Sequence, residues 1–219
     1  ITKGRNRVLS KPEVFGRLSF CGFDVVAEKE IGQYIKKLYF VARLTKSIST
    51  ELRPTYGPIV SLKRIGYNGQ PIIIHKFRTM YPYSEFLQKN MYEEHNLDIT
   101  GKIKDDFRLT IYGKILRKLW VDELPQIYDW MRGTLNIFGV RPLSEHYYGL
   151  YPADLQKMRI QFKPGLVPPY YVDLPKSFEE ILDSERRYLE KKQKSMFITD
   201  IKYFSKAIIN ILFKGARSK

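Results

Sequence analysis

The chain has 219 residues, 43% hydrophobic and 14% aromatic, enough to bury the core of one domain or of a main domain with an appendage. Its formal net charge of +15, with a pI near 9.7, implies an anionic partner: nucleic acid, an anionic membrane face or a phosphorylated substrate. The single cysteine, Cys21, excludes an internal disulfide framework and a cysteine-built metal site. No secretory signal peptide is visible, and no stretch reaches the roughly 18 apolar residues of a spanning helix.

The first residue is Ile rather than Met, so we expect a piece of a longer protein. Ser10-Lys11-Pro12-Glu13 reads as a helix start, with proline tolerated in the first turn. Residues 23–28 and 38–43 read as two strands. One short helix and a strand pair bury little surface, so residues 1–45 are expected to be the end of an upstream α/β domain or an appendage. Residues 46–219 would form the main domain. Residues 46–56 read as a polar connector.

Ile59–Arg64 and Pro71–Phe77 are β-rich runs around Gly66-Tyr67-Asn68-Gly69, and Asn-Gly is a strong hairpin signal. A helix is expected over Ser84–Glu94 and a charged loop over Asn96–Asp106. Thr110 can cap a helix to Leu119, with Ile111, Ile115, Leu116 and Leu119 on one face. A second helix is expected from Asp122, with Leu124, Ile127, Tyr128 and Met131 at helical spacing, Pro125 in its first turn and Gly133 at its end. Lys163–Tyr171 reads as extended. Ser177-Phe178-Glu179-Glu180 is a capping box opening a charged helix to Gln193. A last helix over Thr199–Phe213 carries an apolar stripe of Ile201, Phe204, Ile208, Ile211 and Leu212, with Lys202, Lys206 and Lys214 beside its polar face. It can lie in a membrane interface or dock on the core.

The chemistry concentrates in Trp120-Val121-Asp122-Glu123-Leu124-Pro125-Gln126 and in Gly139-Val140-Arg141-Pro142. Carboxylates at a helix start can attack phosphorus to form an acyl phosphate, or hold Mg²⁺ beside a bound phosphate. They can equally be a helix cap and a dipole-compensating glutamate. Arg78 and Arg141 each follow an apolar run, which would deliver a guanidinium to a strand or loop edge as a phosphate fork or as an ordinary ion pair. Arg64 and Arg108 are similar candidates. His75 reads as structural, and no zinc spacing, Arg-rich arm, RNP strand or glycine-rich phosphate loop is present.

In order, Lys63–Gly69, Lys76-Phe77-Arg78-Thr79-Met80, Asp106–Lys118, Val121–Gln126 and Gly139–Pro142 resemble the bacterial sugar transferase family, the monotopic polyprenyl-phosphate phosphoglycosyl transferases that initiate exopolysaccharide, capsule and O-antigen synthesis. The likeness covers residues 54–170. It implies transfer of a sugar-1-phosphate from a UDP-sugar to polyprenyl (undecaprenyl) phosphate, releasing UMP, with Mg²⁺ as cofactor. It assigns Asp122 as nucleophile and Glu123 as metal holder. Arg141, in its corner with Pro142, would contact the substrate, and Arg78, Arg108 and Arg64 would lie near it. It also implies a membrane surface as partner, on the cytoplasmic face of the bacterial inner membrane, with an upstream domain or partner protein and no nucleic acid.

Departures are visible. The residues before Pro54-Thr55-Tyr56-Gly57-Pro58 are short and polar where the family places a hydrophobic helix. The usual Gly-Asp-Met-Ser reads Gly133-Thr134-Leu135-Asn136, and Gly-Pro-Arg-Pro reads Gly139-Val140-Arg141-Pro142. The fold expectation is mixed α/β: a small hairpin and several helices around a cleft, amphipathic C-terminal helices and an N-terminal helix/strand appendage. Tyr147, Tyr148, Tyr170 and Tyr171 are expected at the membrane interface. The rival functions are a non-catalytic scaffold of this fold and a basic nucleic-acid-binding module.

Overall fold

The computed structural model describes residues 9–33, 37–45, 56–87 and 106–213. The fold is mixed α/β, with helices beside three two-stranded sheets among the described residues. These residues divide into two compact units, one holding residues up to 57 together with 79–87 and 106–111, the other 58–78 and 112–213.

In the first unit, α1 (Lys11–Phe20) starts where Ser10 accepts a hydrogen bond from the Glu13 N–H, as its sequence requires. The strands β1 (Phe23–Ile31) and β2 (Lys37–Leu44) pair antiparallel, with a register irregularity between Val25 and Ala27. Phe15 and Leu87 form a small core, against which Val14, Leu18, Val25, Leu38 and Phe107 pack. Of the helix expected over 84–94, Ser84–Leu87 is a 3₁₀ turn and the remainder lies outside the described residues. So do most of the expected loop over 96–106, most of the connector over 46–56, and Lys214.

The second unit opens with the hairpin β3 (Ile59–Ile65) and β4 (Pro71–Phe77), paired in antiparallel register from Ile59↔Phe77 to Ile65↔Pro71. Asn68 (φ 52°) and Gly69 (φ 72°) make its turn, the left-handed conformations that Asn-Gly supplies at least cost. After α2 (Ile111–Lys118) the chain passes a 3₁₀ turn, α3 (Gln126–Met131) and the short strand β5 (Asn136–Phe138). It continues through α4 (Glu145–Gly149) and α5 (Ala153–Arg159) to β6 (Gly165–Val167), which pairs parallel with β5. Just past β5 the two segments lie so close that a Cβ on Gly165 would stand 2.1 Å from the Gly139 nitrogen, which only glycine permits. This pairing sets the Val140-Arg141-Pro142 corner beside the chain that follows β6.

That following chain is not extended throughout. Tyr170–Asp173 forms a helical turn, α6, which turns the tyrosines inward. Of the four tyrosines expected at an interface, Tyr171 is a core residue, and Tyr147, Tyr148 and Tyr170 are half-buried against that core. The capping box is realised at α7 (Phe178–Lys194), where Ser177 accepts from the Glu180 N–H and Glu180 accepts from the Lys176 N–H.

The last helix, α8 (Met196–Phe213), docks through Thr199, Tyr203, Ala207 and Asn210, with Phe204 and Ile211 alongside. Ile201 is therefore outside the docked face, because the helix turns toward the Phe138–Tyr188–Tyr203 ring cluster rather than presenting its most aliphatic side. The buried Lys192 amine donates to Tyr188 and to Asp200 (2.8 Å each) and ties α7 to α8. Among the described residues no helix is long and apolar enough to cross a membrane.

Candidate active site

The site is organised by the segment between α2 and β5. Trp120 takes φ +60°, a left-handed conformation that a bulky residue holds only when its surroundings impose it. Val121–Glu123 then forms the 3₁₀ turn, and Pro125 stands at the N-cap of α3 with no side-chain cap bond. Asp122 and Glu123 therefore sit on a turn ahead of α3 rather than in its first turn. Neither serves as the helix cap that the plainer reading proposed.

The amphipathic stripe of this segment is real but inverted. Its buried positions are polar (Asp122, Glu123, Gln126 and Asp129), and its apolar residues Leu124, Ile127, Tyr128, Trp130 and Met131 face outward, Met131 at 75% exposure. The stripe of α2 also points outward: Ile111 is 76% exposed, and Tyr112, Ile115 and Leu119 lie open with it. Such an apolar surface, flanking a buried charged network, is the reverse of a solvated helix pair.

Glu123 is the hub of that network. Its Oε1 accepts from Lys76 Nζ (2.5 Å) and from Arg141 Nη2 (3.3 Å), and its Oε2 accepts from the Gln126 amide. Arg141 Nη1 donates to the Tyr170 hydroxyl (2.9 Å). The Arg141 carbonyl accepts from Arg159 Nη2 (2.5 Å), and the buried Arg159 is paired with Glu185. Arg64, Lys76, Glu123, Gln126, Arg141, Pro142 and Tyr170 line one pocket. Asp122, 6% exposed, makes no hydrogen bond or close ion pair to another described residue.

The electrostatics separate the two acids. Burial raises the Asp122 pKa, helped by the neighbouring Glu123 charge and opposed by Lys76, Arg117 and Arg141. Burial acts the same way on Glu123, but Arg141, Lys76 and the hydrogen bonds from Lys76 and Gln126 outweigh it and hold this carboxyl below its usual range. Lys76 is pushed down to about 8 by burial and by the Arg141 charge, against the pull of Glu123.

The structure thus gathers Glu123, Arg141, Pro142 and Arg64 around one pocket, with Asp122 next in the chain to its hub. Arg78 lies just beyond β4, its backbone N–H bonded to the Pro58 carbonyl (2.6 Å), outside the pocket lining. Arg108 belongs to the first unit, where its guanidinium forks onto Asp106 (2.8 and 2.7 Å). Lys76, Gln126 and Tyr170 were missed by sequence reasoning. A signal for Lys76 existed: it continues the Ile72, Ile74 alternation of β4, a cation at an inward register of an apolar strand. Among the described residues no group of three or more His, Cys, Asp or Glu side chains forms a metal cage. Mg²⁺ does not need one, since it is commonly held by one or two carboxylates plus substrate phosphates, which the Asp122-Glu123 pair can provide.

Around this charged pocket stand one carboxylate engaged by three donors and, next to it in the chain, one unengaged carboxylate, with outward apolar residues on the helices before and after them. The family model described as "Bacterial sugar transferase" matches residues 33–214, and the chain belongs to that family. It is 34% identical over 148 residues to "Galactosyl transferase CpsE" of Streptococcus agalactiae, covering 64% of this chain and 32% of the relative. It is 39% identical over 158 residues to "Exopolysaccharide production protein ExoY" of Rhizobium meliloti, covering 69% of this chain and 67% of the relative. To "UDP-glucose:undecaprenyl-phosphate glucose-1-phosphate transferase" of Klebsiella pneumoniae it is 29% identical over 133 residues, 59% of this chain and 26% of the relative. The chain thus spans about a third of the streptococcal relative's length.

Proposed function

We infer that this chain transfers a sugar-1-phosphate from a UDP-sugar to polyprenyl phosphate on the cytoplasmic face of the bacterial inner membrane. The single observation that carries the reading is the inverted segment 120–131. It presents the unengaged Asp122 carboxylate beside the Glu123–Lys76–Arg141 cluster while its other face is apolar. The names of relatives that act on undecaprenyl phosphate support it.

In the proposed chemistry an Asp122 oxygen attacks the phosphorus that bears the sugar. The bond from that phosphorus to the bridging oxygen breaks, and UMP leaves with the electron pair. A phosphate oxygen of the polyprenyl substrate then attacks the same phosphorus, releasing the Asp122 carboxylate and forming polyprenyl-diphospho-sugar. Lys76 and Arg141 supply fixed positive charge where the diphosphate's charge develops. Mg²⁺, held at Glu123, would offset further phosphate charge.

UMP release from a panel of UDP-sugars, with undecaprenyl phosphate and Mg²⁺, tests the reaction. Release that requires the lipid phosphate and is lost in Asp122→Asn is the expected result. Absence of release from the full-length protein in membranes, with every sugar tried, overturns it.

Two further outcomes follow. Asp122 must be ionised to attack, and its raised pKa places the acid limb of the rate profile above that of an ordinary aspartate. Lys76 loses its charge as pH rises through about 8, so the alkaline limb falls there. Lys76→Arg, which stays charged, should move that limb to higher pH; an unmoved limb removes Lys76 as its origin.

The exposed residues of α2 and α3 are proposed to rest in the lipid interface, with basic residues drawn to anionic headgroups. Ile115→Glu and Ile127→Glu should each weaken partition onto anionic vesicles about tenfold or more, since burying such a side chain is worth roughly 1.5–3 kcal/mol. Thermal stability should be unchanged, because neither side chain is in the core. Equal partition of wild type and variants would sink the docking face. Point variants are the right probe here; deleting residues 199–219 would also remove Tyr203 and Ala207 from the core.

A further inference from the structure

His75 and Asp129 form a pair that the proposed chemistry leaves unused. Asp129 is 1% exposed and lies on α3, two turns after Glu123. One of its oxygens accepts the His75 backbone N–H (2.7 Å), and the other lies 2.6 Å from His75 Nδ1. A single carboxylate thus grips one residue of β4 at two points. Its own backbone carbonyl accepts the N–H groups of Thr134 and Leu135, which anchors it to the turn after α3.

The place of the grip is what matters. Among the described residues β4 pairs with β3 alone in its two-stranded sheet, so alternate N–H groups on its other side have no strand partner there. The Asp129 carboxylate satisfies the one at His75. The next residue in the strand is Lys76, whose amine meets Glu123. Along the other element, Glu123, Gln126 and Asp129 recur every third residue and bury together. The strand and the turn-helix segment are therefore pinned at 75–129 immediately beside the 76–123 contact. A carboxylate bonded through both oxygens to a strand edge permits one register and one spacing.

We propose that Asp129 and His75 are positioning residues, which fix Glu123 against Lys76 and so set the charged wall of the pocket on the β4 side. The opposite wall has two further anchors besides its Glu123 contact: Arg159 holds the Arg141 carbonyl, and Tyr170 holds its guanidinium. Loosening the clamp therefore displaces Glu123 and Lys76 more than Arg141 and Tyr170. It lowers kcat more than it raises KM for the nucleotide sugar. The inference rests on the phosphosugar-transfer reading.

The test uses the full chain with three variants. Asp129→Ala removes both contacts, and a displacement of the order of 1 Å is expected to lower kcat about 10²-fold with KM changed less than about threefold. Asp129→Asn keeps an oxygen for the His75 N–H and turns an amide donor toward Nδ1, so it should restore kcat to within about fivefold of wild type. His75→Phe keeps the backbone bond and the ring packing on Tyr128 and loses only the ring nitrogen, with an expected kcat loss of about tenfold or less.

Hydrogen exchange of the His75 amide provides a readout without turnover: fast in Asp129→Ala, protected in wild type, Asp129→Asn and His75→Phe. If wild type is active and Asp129→Ala retains kcat, or if Asp129→Asn fails to rescue it while the His75 amide remains protected, the positioning role is overturned. If wild type itself shows no transfer, the reaction assignment falls and this role falls with it.

Discussion

Asp122→Asn is expected to lower turnover by at least about 10³-fold, the scale on which removal of a covalent nucleophile acts. The substitution keeps the shape of the side chain, but a carboxamide cannot carry out the attack. Intact-mass analysis after incubation with UDP-sugar, without the lipid acceptor, should detect a phosphosugar adduct on the wild-type chain and none on the variant. The fold should not suffer. Asp122 makes no hydrogen bond to another described residue, and its raised pKa means that the ionised form is disfavoured by folding. A neutral amide relieves that cost at pH 7, so the melting temperature should be equal or higher. The gain should vanish below the ordinary aspartate range, where Asp122 is neutral in both folded and unfolded chains. An active variant, or an adduct on another residue, would remove Asp122 from the reaction.

Glu123→Gln should differ in kind, because it also damages the fold. Glu123 is the negative partner of both Lys76 and Arg141 in a pocket where it is largely buried. An amide leaves two cations facing each other without their counter-ion. The expected cost is about 2–4 kcal/mol in denaturant unfolding, toward the lower side of a broken buried pair because the Gln126 contact has a neutral substitute. Turnover should fall to background. The Lys76 pKa should drop below its wild-type value of about 8, since Glu123 is what holds it up, and any residual activity should lose its alkaline limb earlier. Near-normal turnover at high Mg²⁺ would take Glu123 out of the site altogether.

The two variants therefore separate the roles that the environment assigns to adjacent acids. One is desolvated and unengaged, and its loss removes chemistry while sparing stability. The other is desolvated and engaged by three donors, and its loss removes both. Neighbouring carboxyl groups whose pKa values move in opposite directions are a common arrangement where two acids do different work.

Much of this was legible in the residues themselves. Ser10 and Ser177 cap the helices they announce, and Asn68-Gly69 turns the hairpin between the β-rich runs. The stripes of α2 and α3 occur at the expected spacing. In each case the determinant is local: a cap, a turn dihedral, a side-chain period. The Pro168-Pro169-Tyr170-Tyr171 run was misread because proline marks extended chain and the start of a helical turn equally well, and here α6 follows. The α8 stripe was read by hydropathy, but an aromatic cluster from β5 and α7 decided which side docks.

By itself, the sequence determined the family, the acid pair, the Arg-Pro corner and the periodicity of each helix, since all of these are written in contiguous residues. Only the tertiary structure decided which way each stripe faces. A period of 3.6 residues defines a face without saying whether it points to the core or away from it. Along 122–131 it points away, and the buried side is a polar network. That arrangement is tolerable only because its partners arrive from elsewhere: Lys76 stands 47 residues from Glu123, His75 54 residues from Asp129, and Arg141 18 residues from Glu123. Burying a carboxylate is unfavourable until such groups are brought to it, and chain folding, not local pattern, brings them.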